Sequence, residues 1–273
     1  MTLHITTITP NHVVSVSDRL IATSAGYREL DNDRYKHLLL VTDDAKVVIS
    51  FAGFAGILGS DNNLKETTID WLTQEIQHTS GEGHHRINEH LTDIRDHAQD
   101  YINSLSSNRI PPTDLRLAIL ASGWVGPEQF NCVIDNCLEK AWTWSSEART
   151  SFKTRIRNYG KAKFEDGSYT AFLGNERLGM KQRALRKLLT LNALEEEPKK
   201  IFDTSVKIIR AAATQSKGSI GVNCSGIRIS RDDPGIEAYD DRNTELYDVV
   251  MPNCIVSKSR MSFATTHLKG RTL

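Results

Sequence analysis

The sequence predicts an α+β fold, a four-layer α-β-β-α sandwich, and three features of the 273-residue chain predict it. Its strand-like segments fall into three groups, separated by two pairs of helix-like segments. Each helix pair carries one apolar face that needs a sheet to cover. Strands and helices do not alternate singly, which disfavours a doubly wound parallel sheet. Two facing sheets, each covered outside by a helix pair, bury all these faces.

The first group opens with Leu3 to Ile8 and His12 to Asp18, joined at the turn pair Pro10-Asn11. After a polar connection from Thr23 to Arg34, Lys36 to Thr42 and Lys46 to Phe51 form a second hairpin around Asp43-Asp44. It ends in Phe51-Ala52-Gly53. Ile69, Leu72 and Ile76 recur at helical steps, and Ser80-Gly81-Glu82-Gly83 breaks that helix. Ile87, Leu91, Ile94, Ala98, Tyr101, Ile102 and Leu105 share one face of the next. The histidines around it (84, 85, 90 and 97) read as solvated surface groups, with no carboxylate-histidine metal signature beside them.

Pro111-Pro112 ends this helical part. Leu115 to Gly123 and Gln129 to Asp135 follow as strands, with Gly126-Pro127 in their turn. Residues 137–163 read as a polar surface insertion within a single domain spanning 1–273. Tyr169 to Leu173 is a short strand; Leu178 to Leu194 and Pro198 to Thr214 are helices, with the proline in a tolerated first-turn position. Gly218 to Ser230 and Tyr247 to Val256 supply the last strands, and 231–273 is a C-terminal extension without an assigned role.

Hydrophobic residues at 39% and charged residues at 25% describe a globular chain. Lys plus Arg equals Asp plus Glu at 34 each, so no overall field favours nucleic acid or anionic lipid as a partner. No apolar run approaches the roughly 20 residues that span a bilayer, and no basic-then-apolar leader opens the sequence. The expected compartment is the cytoplasm. Cys132, Cys137, Cys224 and Cys254 form no CxxC pair and read as buried or free thiols. Glycine-rich nucleotide motifs are absent, and neither cofactor nor metal is expected.

The first 60 residues resemble proteasome β subunits and the bacterial ATP-dependent protease HslV, both N-terminal-nucleophile (threonine) hydrolases. The residues that carry this are the distance from Thr2 to Asp18, the Asn11-His12-Val13-Val14 and Asp18-Arg19 pairs, Lys36, and Phe51-Ala52-Gly53. Further on, Ser122-Gly123-Trp124 with Gly126-Pro127 is similar to that family's middle hairpin. Asn175 stands where the family has a serine, and Ser216 lies near its Asp-Ser-x-Ser-Gly-Gly segment, where Thr214, Gln215 and Lys217 depart from it.

The resemblance implies that Thr2 is the nucleophile once Met1 is removed, as aminopeptidase removal before a small residue allows. A terminal threonine carries its own base, because its α-amine lies next to its hydroxyl. Lys36 would depress that amine's pKa, Asp18 would hold Lys36, and the Gly53 amide would serve the oxyanion. Asn175 and Ser216 would orient the amine and its water. It further implies a peptide or protein substrate, a homo-oligomer (a ring among the options) and an ATP-dependent unfoldase as a partner. Taken singly, Lys36 is also an ordinary strand-edge lysine, and Asp18 also a partner for Arg19 or Arg34.

Overall fold

A computed structural model describes residues 2–22, 29–31, 34–58, 64–106, 114–139, 145, 147–157, 168–233, 235–240, 253–259 and 261–265. The β-branched start of the chain forms β1 (Leu3–Ile8) and β2 (His12–Asp18). A small ribbon, β3 (Ile21–Ala22) with β4 (Glu29–Asp31), lies in the polar connection. The second hairpin is β5 (His37–Val41) and β6 (Ala45–Gly53). β7 (Gly56–Leu58) pairs with β8 (Leu64–Thr67), which runs into α1 (Thr68–Gly81). Thr67 caps that helix: its hydroxyl accepts from Asp70 N while the Asp70 carboxylate accepts from Thr67 N, both at 3.2 Å.

α2 (Ile87–Ser106), β9 (Leu117–Val125), β10 (Glu128–Asp135), β11 (Lys153–Arg157) and β12 (Tyr169–Gly174) come next. They are followed by α3 (Glu176–Met180), α4 (Arg183–Leu194) and α5 (Pro198–Ala213). The last strands are β13 (Cys224–Ser230), β14 (Ile236–Asp240), β15 (Asn253–Lys258) and β16 (Met261–Thr265).

Among the described residues, two sheets organise this mixed α+β chain. A five-stranded sheet has the order β12-β1-β2-β13-β14, and a seven-stranded sheet the order β11-β10-β9-β6-β5-β15-β16. Strand alternation sorts their faces. Leu3, Ile5, Val14 and Val16 pack with Ile201, Phe202 and Ile209 of α5 and with Leu189 of α4. Leu38, Leu40, Val47 and Ile49 pack with Leu72 and Ile76 of α1 and with Leu91 and Ile94 of α2. The alternate residues meet between the sheets, where Ile8, Val13 and Ile227 join Leu39, Val48 and Trp124. Among the described residues, no helix is long and apolar enough to cross a membrane.

The structure adds to two sequence readings and corrects two others. The described part of the 137–163 segment is not a purely surface insertion. Lys153–Arg157 adds β11 to the sheet edge against β10, and Arg149 and Arg155 both bind the buried Asp135 carboxylate. The 231–273 extension contributes β14 beside β13, and β15, which runs parallel to β5; residues 241–252 lie outside the described residues, as does Pro111-Pro112. The single helix expected over Leu178 to Leu194 divides at Lys181–Gln182, where Gln182 leaves helical geometry at φ −80° and ψ 59°. His90 is no surface histidine: it is fully buried, with Thr79 Oγ1 at 2.9 Å from Nδ1 and Ser257 Oγ at 3.0 Å from Nε2. β15 brings Ser257 over that helix, a contact no local pattern contains. The four cysteines are buried, and among the described residues they form no disulfide.

Candidate active site

Thr2 stands immediately before β1, and the hairpin register decides what lies beside it. His4 pairs with Ser17, which sets Leu3 opposite Asp18, and Leu3 N donates to Asp18 Oδ1 at 2.9 Å. Across β2, Asp18 faces Cys224, and the turn before β13 brings Gly221 N to Asp18 Oδ2 at 3.2 Å. Asp18 is thus buried with two backbone donors already in place, as a buried carboxylate requires.

Lys36 enters this pocket from the start of β5 and is fully buried. Its Nζ donates to Thr2 Oγ1 at 2.6 Å, to Leu20 O at 2.7 Å and to Asp18 Oδ2 at 3.2 Å. Three acceptors match the three hydrogens of an ammonium. Burial pulls the Lys36 pKa down from its usual value, and Asp18 opposes that pull. The strand-edge reading of Lys36 ends here, since no part of the side chain reaches water. Of the other expected partners for Asp18, Arg19 bonds Asp240 at 2.6 Å and lies over the Tyr35 ring, and Arg34 bonds Asp31 at 2.7 Å.

The Thr2 main chain is held from the other side. Asn175 N donates to Thr2 O at 2.9 Å, and Gly174 approaches so closely that a Cβ there would stand 1.9 Å from that oxygen. Gly174 has φ +92°, a region only glycine enters freely. The same Cβ would lie 3.3 Å from Ala52 Cβ, so the end of β6, with Gly53 at φ +102°, comes up to Thr2 on this side.

Ser216 sits one step behind. Its hydroxyl donates to Ala213 O at 2.9 Å and accepts from Ile220 N at 3.1 Å, building the turn that delivers Gly221 to Asp18. Lys36 is therefore bonded directly to both Thr2 and Asp18; Asn175 touches Thr2 through its main chain, and Ser216 acts through the turn. Gly174, Gly221 and the Leu20 carbonyl were not foreseen as site groups. The glycines offered one signal, their placement at strand and turn ends. The Leu20 carbonyl offered none, because its contact is a backbone atom. Among the described residues there is no group of three or more His, Cys, Asp or Glu able to hold a metal ion.

No family model and no curated protein matches this sequence. Among solved structures it is similar to Anbu proteins. Anbu (ancestral beta-subunit) from Yersinia bercovieri is 11% identical at a TM-score of 0.49, over 88% of this chain and 87% of that one. An Anbu (Gly-1) mutant from Hyphomicrobium sp. strain MC1 is 10% identical at a TM-score of 0.45, with the same coverage. Anbu is a family distinct from proteasome β subunits and HslV, so the assignment expected from the first 60 residues is corrected. The residues that carried it, from Thr2–Asp18 and Lys36 to Phe51-Ala52-Gly53 and the Ser122-Gly123-Trp124 hairpin, are short local matches, which do not by themselves separate one family from another.

Proposed function

We propose that this chain is a threonine-type amide hydrolase acting on peptides, with Thr2 as nucleophile after loss of Met1. The observation that supports it most is the 2.6 Å bond from the Lys36 ammonium to Thr2 Oγ1, with Asp18 holding the lysine from behind. A cation donating to a hydroxyl oxygen lowers the cost of its oxyanion. It also leaves the hydroxyl proton to another base.

Removal of Met1 turns the Thr2 amide nitrogen into an α-amine, whose ordinary pKa is about 7.7–8.0. The nearby ammonium disfavours protonation of that amine, so its lone pair is available near neutrality. The amine takes the Oγ1 proton as Oγ1 attacks the substrate carbonyl carbon. The Gly53 amide donates to the oxygen that gains charge, a role worth roughly 3 kcal/mol elsewhere. Collapse breaks the C–N bond, the α-ammonium returns its proton to the leaving amine, and water then cleaves the Thr2 ester with the same amine as base. Core packing on both faces of each sheet supports the four-layer α-β-β-α arrangement around this site. Leu188, Leu191 and Leu194, exposed at three-residue steps on α4, support assembly into an oligomer.

A second reading, a non-catalytic structural subunit, is favoured by Thr2 being 3% exposed and by Ser216 bonding within its own turn. A β-lactone or epoxyketone probe separates the two. Labelling of Thr2 supports the hydrolase; full retention of Met1 in native protein supports the structural subunit.

A further inference from the structure

The register that sets Leu3 opposite Asp18 also aligns buried polar side chains one residue deeper. His4, Ser17 and Ser225 are direct neighbours across β1, β2 and β13, on the face turned toward the other sheet. His37 and Ser50 are direct neighbours across β5 and β6. The His4 and His37 rings meet between the sheets with centroids 4.8 Å apart. All five residues are at most 1% exposed.

Among the described residues, His4 Nδ1, both His37 ring nitrogens and the hydroxyls of Ser17, Ser50 and Ser225 have no hydrogen-bond partner. One row further along, His4 Nε2 is satisfied by Ser15 Oγ at 2.8 Å and Thr6 Oγ1 at 3.1 Å. Beyond that the layer turns apolar at Ile8, Val13 and Ile229. The six unpartnered atoms named above thus lie at the end of the layer where Lys36 and Asp18 sit.

A buried donor or acceptor left unpaired costs about 1–3 kcal/mol, and several in one place call for a common partner. Ordered water is what buried polar groups use when no side chain reaches them. We propose that this end of the inter-sheet layer binds a cluster of ordered water molecules, held by His4, Ser17, His37, Ser50 and Ser225, and that the cluster screens the buried Lys36 charge. The water site stands independently of the catalytic reading; what it does for Lys36 deepens that reading and rests on it.

The charged and titratable groups facing Lys36 are Asp18 from β2, Cys224 from β13, His4 from β1 and its own neighbour His37. Both imidazoles are held neutral by burial, so neither repels the ammonium, and each has a nitrogen with which to anchor water. Asp18 alone does not offset the burial of Lys36, whose pKa stays lowered. A polarisable cluster behind the lysine adds what the single carboxylate does not. His37 is then a positioning residue for the site.

Two measurements on the full chain test this, and neither uses turnover. A high-resolution crystal structure is expected to show water within about 3 Å of at least two of the unpartnered atoms. Serine hydroxyls bonded to one another or to main-chain carbonyls, with no water among them, would overturn the site. The Lys36 titration, followed by NMR of its side chain, is expected to fall by about one pH unit or more in His37→Phe and to hold in His37→Gln. Unmoved titration in His37→Phe overturns the screening role. Ser50→Ala, expected to lower it in the same direction, replaces His37→Phe if that variant does not fold. An inactive wild-type protein would count against the hydrolase reading and leave both readouts standing.

Discussion

Asp18 holds Lys36 at 3.2 Å with neither side chain exposed to water, and both are bonded to the segment that begins at Thr2. A buried pair of this kind contributes less to net stability than to defining where its charges sit. Breaking it is costly all the same, because the survivor keeps its charge without a counter-ion.

Asp18→Ala should therefore lower unfolding free energy by about 3–5 kcal/mol, read from urea titration of the variant beside wild type. It also strands Leu3 N and Gly221 N. A loss below about 1 kcal/mol would mean that the pair is open to solvent.

Gly174→Ala should displace Thr2. The new methyl group would overlap Thr2 O, and φ +92° adds strain of about 1–3 kcal/mol. We expect a lower Tm together with loss of Thr2 labelling by the covalent probe. Unchanged labelling would contradict the contact.

Acid should destabilise the fold through its buried histidines. Burial lowers the His37 pKa to about 3 and the His90 pKa to about 4. As pH falls below about 6.5, the unfolded chain binds protons that the folded chain refuses, so stability decreases toward the folded values. Each such histidine contributes a slope of up to about 1.4 kcal/mol per pH unit. His37→Gln should flatten the slope between pH 6 and 4 by one histidine's share, measured by denaturation at each pH; an unchanged slope would refute the buried neutral ring.

The α1–α2 pair should respond with the opposite sign. His97 Nδ1 lies 2.5 Å from Glu75 Oε1, and this bond raises the His97 pKa. Its contribution is fully present below the unfolded value of about 6.5 and is lost as pH rises through the raised folded value. Exposure of this histidine keeps the effect small. Amide-exchange protection at the helix contact, taken relative to the intrinsic exchange rate at each pH, is expected to fall across that range in wild type and to hold in His97→Gln.

How much of this could be read in the sequence depends on the range of each contact. The hairpin was legible from its β-branched runs around Pro10-Asn11, whereas the Thr2–Asp18 distance stood out only through the resemblance to proteasome β subunits and HslV. Lys36 was singled out by the same resemblance, but its burial was not legible, since it depends on Leu20 O and on β13 arriving from far downstream. His90 was misread although the pattern contained the signal. It falls at i+3 from Ile87 and four residues before Ile94, on the helix's apolar face. The edge strand Lys153–Arg157 was missed because its polar sequence, KTRIR, suits a sheet edge and hides the alternation of an inner strand. The meeting of His4 and His37 joins two sheets, and nothing local encodes it.

Peptide mapping of native protein after reaction with a β-lactone probe tests the central claim most directly. The account predicts a chain that lacks Met1 and carries the acyl group on Thr2, with no label in Thr2→Ala. A chain that keeps Met1, or a label carried by any other residue, would contradict it.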